Sequence, residues 1–230
     1  MNINDTKSCF SSHMGQWLIQ PKWMNGALTA IKSGLASGEK AVGTFEDNGN
    51  PELMVESGIA VIQIDGMMMK GFSKFGGTST VQVRQQLREA VANDEVSQIL
   101  LVIDSPGGHV AGTKELADEV HLASQSKPVI AQIEDLGASA ALWVASQASE
   151  VYANATAEIG SIGVVAVLHD TSEAFEREGV KVHVVSTGNM KGAMTDGTKI
   201  TDEMIASVQD KVDALNEFFI NAVDRDWETT

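Results

Sequence analysis

From residue 58 onward the chain alternates two kinds of apolar pattern. "GIAVIQID" (58–65) is a run rich in β-branched residues closed by Gly66, which predicts a strand. "STVQVRQQLREAVAND" (79–94) places Val83, Leu87, Ala90 and Val91 on one helical face. "VSQILLVID" (96–104) is almost unbroken in apolar character, the signature of a strand covered on both faces. "SPGG" (105–108) interrupts it, and "HVAGTKELADEVHLAS" (109–124) follows as a helix with Thr113, Leu116, Ala117 and Val120 on one side. "KPVIAQI" (127–133) reads as the next strand, "ASAALWVASQAS" (138–149) as a helix, and "EVYA" (150–153) as a short strand. Further on, "IGSIGVVAVL" (159–168) reads as a glycine-punctuated strand, and "DTSEAFEREG" (170–179) as a helix capped by Asp170 and stopped by Gly179. "VKVHVVS" (180–186) alternates like a strand, "TGNMKGAMTDGTK" (187–199) reads as a loop, and residues 201–225 as the last helix. Residues 1–57 carry no such order and are taken as an N-terminal arm and linker, with 58–230 as the folded domain.

Strands alternating with helices imply right-handed crossovers and a mainly parallel α/β sheet. Ligand sites in such folds lie at the carboxyl ends of the strands. Three segments sit there: Ser105–Gly108, Gly137–Ala140 and the stretch around Lys191.

Composition narrows the function classes. Sixteen Lys+Arg against 31 Asp+Glu give a formal charge of −15 over 230 residues, a surface that repels nucleic acid and anionic membranes. One cysteine, Cys9, permits no internal disulfide. No window is apolar enough for a membrane span, and the first 20 residues lack the layout of a secretory signal, so a soluble, cytoplasmic protein is expected.

In "DSPGG", Pro106 fixes φ and Gly107 and Gly108 free the backbone just past a strand. Such a turn can aim peptide N–H groups at one point, as an oxyanion hole requires, or can serve merely as a tight connection. Ser139 opens a helix of small residues, where the helix N-terminus favours developing negative charge; Ala140 would supply the next N–H. The competing reading of Ser139 is a helix N-cap. A nucleophilic serine needs a base. Of His13, His109, His121, His169 and His183, only His169 is well spaced for a triad; Lys191 is the alternative. A free lysine is neutral in only about one molecule in 2,500 at pH 7, so it would need burial to act.

The order D-S-P-G-G, A-S-A-A, G-S-I-G-V and G-x-x-K resembles the signal peptide peptidase A family of serine peptidases, in particular its soluble bacteriophage branch of head-maturation proteases. The resemblance covers about residues 58–225. It implies a Clp protease/crotonase-like fold of repeated ββα units and a serine–lysine dyad: Ser139 as nucleophile, Lys191 as base, Gly107, Gly108 and Ala140 at the oxyanion hole, and Ser161 supporting the lysine. Where Clp-type enzymes carry a histidine this chain has Val164, which favours Lys191 over His169. "ASAAL" replaces the more usual "ASGGY", and the family's last strand and helix have no counterpart after "NAVDRDWETT", which implies truncation at the C-terminus.

The implied function is an endopeptidase acting on phage scaffold or capsid protein as a homo-oligomeric ring, in the host cytoplasm or the prohead, with no metal or other cofactor. The "GMMMKGF" stretch (66–72) would offer either an edge for an extended substrate or a subunit interface. Two other readings stand beside it: a crotonase-type acyl-CoA enzyme, which turnover of a thioester would reveal, and a catalytically inactive assembly protein.

Overall fold

The computed structural model describes the backbone pairing of residues 16–19 and the full structure of residues 52–71, 77–188 and 190–224. The main sheet follows the expected parallel pattern. Strand β3 (Ile59–Asp65) pairs in parallel with β6 (Gln98–Ser105), from Ile59 opposite Gln98 to Asp65 opposite Asp104. β6 pairs in parallel with β8 (Val129–Ala138), and β9 (Glu150–Ala153) and β10 (Glu158–Gly160) lie one after the other along the far edge of β8. The opposite edge is closed by β2 (Met54–Glu56), antiparallel to β3, within the stretch the sequence pattern assigned to the arm.

A second sheet has the order β11-β1-β7-β4-β5. Its strands are β1 (Gln16–Ile19), β4 (Met68–Met69), β5 (Thr78–Ser79), β7 (Gly107–His109) and β11 (Val165–Ala166). The unit of construction is thus a main-sheet strand, a short second-sheet segment, and then a helix. β3, β4 and β5 lead into α1 (Thr80–Ala92); β6 and β7 lead into α2 (Thr113–Ser124); β10 and β11 lead into α4 (Ser172–Arg177). Met68 pairs with both Thr78 and Gly108, so the methionine stretch is an interior strand and offers no edge to a substrate; residues 72–76 lie outside the described residues.

The core follows the periodicities. Val83, Leu87 and Ala90 of α1 and Leu116, Ala117 and Val120 of α2 are buried with Ile62, Ile64, Leu101, Ile103 and Ile133 of the sheet. β6 is fully buried on one face only; Leu100 and Val102 are half-buried. The last helix, α5 (Asp202–Asp224), buries one residue, Phe219, whose ring stacks on Trp143 of α3 (Ala140–Ala145) with centroids 5.0 Å apart.

Two expected strands differ. "IGSIGVVAVL" divides into β10 and β11, which belong to different sheets, because positive φ at Gly160 (132°), Ser161 (56°) and Gly163 (156°) turns the chain between them. Residues 180–186 form no strand, and Val185 is 98% exposed: alternation makes a strand only where a sheet edge receives it.

Candidate active site

β6 ends at Ser105, which is fully buried. Its hydroxyl donates to the Gly66 carbonyl at 2.6 Å and accepts the Gly107 N–H at 3.2 Å. Gly107 has φ 91°, a conformation that favours glycine. A Cβ at Gly108 would lie 1.9 Å from the Met68 carbonyl oxygen, so β7 can approach β4 only as glycine there. The sequence pattern reads Ser105 as part of a break in the strand. Its signal was a hydroxyl ending an apolar strand immediately before Pro-Gly-Gly. The Gly107 N–H is thus taken by Ser105. As the first residue of α3, Ala140 has no acceptor for its N–H inside the helix.

β8 delivers the serine. Its register with β6 runs regularly to Ile133 opposite Ile103 and resumes at Gly137 opposite Ser105, so residues 134–136 bulge out of the ladder. Gly137 passes over Ile133, where a Cβ would meet that side chain at 2.7 Å. The tail of β8 is gripped by β10, with Ile159 opposite Gly137 and Gly160 opposite Ala138. One residue later Ser139 adopts φ 55°, ψ −118°, held by its N–H to the Gly160 carbonyl at 2.8 Å and by the Trp143 N–H to its own carbonyl at 3.0 Å.

Ser139 is therefore not a side-chain N-cap. It precedes α3 but makes no capping bond, and among the described residues its buried hydroxyl has no hydrogen-bond partner. Leaving a buried hydroxyl unpaired costs about 1–3 kcal/mol, and a positive φ at a non-glycine residue adds a cost of the same order. Both costs fall on the residue that the chain places beside the glycine strand.

Among the described residues the Ser139 hydroxyl makes no hydrogen bond to any of the other expected groups. Lys191 is exposed in a turn, its N–H 3.4 Å from the Gly188 carbonyl, and among the described residues no hydrogen bond joins it to Ser139 or Ser161. Ser161 is exposed. His169 and His183 are exposed, His121 meets Gln125, and His109 sits half-buried in β7; His13 lies outside the described residues. The segment carrying Lys191 is tied at its far end. The Asp170 carboxylate accepts from the Ser172 hydroxyl and N–H and from the Ile200 N–H, and Thr171 Oγ1 accepts from the Gly197 N–H. Those bonds, the Ser172 hydroxyl first, hold Asp170 below the usual carboxylate range. Among the described residues no group of three or more His, Cys, Asp or Glu is placed to hold a metal ion, and no helix is long and apolar enough to cross a membrane.

Residues 121–228, which include Ser139 and Lys191, match the family model described as Peptidase family S49. The peptidase family S49 match is thus confined to residues 121–228, the half of the chain that holds the serine. This bears out the family resemblance read from the motifs. "Capsid assembly protease C" of Escherichia phage lambda is 31% identical over 173 residues, covering 74% of this chain and 39% of that protein. "Head-tail preconnector protein GP5" of Enterobacteria phage P21 is 32% identical over 173 residues, covering 74% of this chain and 34% of that protein. "Protease 4" of Salmonella typhi is 30% identical over 130 residues, covering 56% of this chain and 21% of that protein. The chain thus spans little more than a third of the length of the two phage relatives. Among solved structures, a membrane-bound stomatin-specific protease mutant with a substrate peptide superposes with a TM-score of 0.36 at 14% identity, over 75% of this chain and 68% of that one. The parallel strand order of the main sheet stands on its own pairing pattern.

Proposed function

We propose that the domain is a serine endopeptidase with Ser139 as its nucleophile. One observation carries this reading: the Ser139 hydroxyl is buried, without a hydrogen-bond partner among the described residues, on a backbone held at positive φ at the mouth of α3, beside the glycine strand β7. A packing serine or an N-cap would have a partner.

In this mechanism a neutral Lys191 takes the Ser139 proton, and Oγ attacks the peptide carbonyl. The Ala140 and Gly108 N–H groups bind the oxyanion, with Gly107 behind them. Lysine then protonates the leaving amine, and water, deprotonated by the same lysine, releases the acyl group. Exposed as it is, Lys191 has to reach Ser139 by movement of its segment or from a second copy of the chain in the ring, and Ser161 would steady it there. The names of the phage relatives support a scaffold or capsid protein as substrate and head maturation as the setting, inside the host cell or the prohead.

The exposure of Lys191 favours a second reading, a catalytically inactive assembly protein. Casein cleavage read by mass spectrometry separates the two. Wild type and His169→Ala are expected to cleave, and Ser139→Ala and Lys191→Ala to lose at least about a thousandfold in rate. Dependence on His169 instead of Lys191 would replace the dyad. No cleavage by a folded wild type would leave the assembly reading.

A further inference from the structure

The second sheet holds a strand that the chemistry above does not use. β1 lies between β7 and β11 and is antiparallel to both: Trp17 is opposite His109 on one side and Val165 on the other, and Ile19 is opposite Gly107. β11 has no other strand partner among the described residues, and the second edge of β7 is taken by β4. Without β1, β7 and β11 would face each other across a gap one strand wide, about 10 Å from backbone to backbone.

Both walls of that gap belong to the site. Gly107 follows Ser105, which pairs with Gly137 just before Ser139. β11 follows Gly160, whose carbonyl takes the Ser139 N–H. Two of the three residues of β7 are glycine, so that wall presents main-chain hydrogen bonds and almost no side chain. A ladder of this kind accepts an extended polypeptide of many sequences, provided its direction is right. Meanwhile Gly107, Gly108 and Ser139 are buried, and the Ser139 hydroxyl is closed off with no hydrogen-bond partner among the described residues. A nucleophile that must meet a polypeptide cannot work in that state.

We propose that Gln16–Ile19 is a built-in occupant of the polypeptide cleft: it takes, antiparallel between β7 and β11, the place of an extended substrate and keeps Ser139 latent until it is displaced. The inference rests on the peptidase reading above. β1 belongs to the same chain as the cleft, so it competes as an intramolecular ligand. A substrate segment runs in the same direction as β1, its residues passing His109 before Gly107.

The test uses the full chain. Leu18→Pro removes an N–H from a strand paired on both sides, where proline is not tolerated. It is expected to raise the rate of casein cleavage at least tenfold over wild type, and a synthetic peptide of residues 14–21 added in trans is expected to bring that rate back down. Cleavage by both proteins at equal rates, with both folded by circular dichroism, overturns the latency and leaves the peptidase reading intact. No cleavage by either overturns the peptidase reading and this inference with it. A second variant guards against misfolding: Trp17→Cys with Val165→Cys, in a Cys9→Ser background. Opposed residues of an antiparallel pair lie within disulfide reach. Oxidation is expected to abolish cleavage and dithiothreitol to restore it. Failure of the pair to bridge, or full activity when bridged, overturns the inference.

Discussion

The N–H of Ser139 donates to the carbonyl of Gly160 across 2.8 Å, joining the end of β8 to the end of β10 at the point where both chains adopt positive φ. The bond turns the serine out of the extended course of β8 and aims the next residues into α3. Strain at the serine is thus shared with the strand that follows it in the sheet.

This strain has a measurable sign. Ser139→Gly and Ser139→Ala both remove the hydroxyl and are expected to abolish cleavage, but only glycine adopts φ 55° without penalty. The glycine variant is expected to be more stable than the alanine variant by about 1 kcal/mol in urea unfolding. An alanine variant equal to or more stable than the glycine one would show that Ser139 carries no backbone strain.

Gly108 tests how β7 is packed. A methyl there would overlap the Met68 carbonyl oxygen, so Gly108→Ala must push β7 off β4. The expected cost is about 1–3 kcal/mol with loss of cleavage. Gly71, where an added Cβ meets nothing within 4 Å among the described residues, is the control: Gly71→Ala should change stability by less than about 0.5 kcal/mol. Similar midpoints for both variants in denaturant titrations would remove the close-approach argument.

Much of this architecture was legible in the residues, for a physical reason. β3, β6, α1 and α2 bury their apolar positions against one another, so their periodicities declare them. The glycines of β7 and the serine at the mouth of α3 were legible as chemistry because small residues and turn formers cluster where strands end. What escaped was set by partners rather than by local pattern. "QWLI" is short and becomes a strand only because β7 and β11 receive it, whereas "VKVHVVS" has the better strand pattern but no edge to join. The buried bridge of Ser105 between Gly66 and Gly107 joins residues far apart in the chain and leaves no periodic trace.

Asp170 predicts a pH dependence. Its carboxyl sits below the usual carboxylate range because the Ser172 hydroxyl and the Ser172 and Ile200 N–H groups bond the ionised form. A depressed folded value means that the stabilisation is complete above the ordinary carboxylate value and disappears as pH falls through the lowered one. Asp170→Asn is therefore expected to be less stable than wild type at pH 7 and to converge on it in acid. Urea midpoints measured from pH 7 down to about pH 2 check this, and a gap independent of pH would mean the charge on Asp170 does not hold the segment leading to Ile200.

The position of β1 also sets an order of events during synthesis. A chain is made from its N-terminus, so residues 16–19 are finished long before Gly107–His109, and longer still before Val165–Ala166. The strand made early must wait, unpaired, for both of its neighbours. In the interval the glycine strand emerges with one bare edge, and any other extended segment nearby can reach it first.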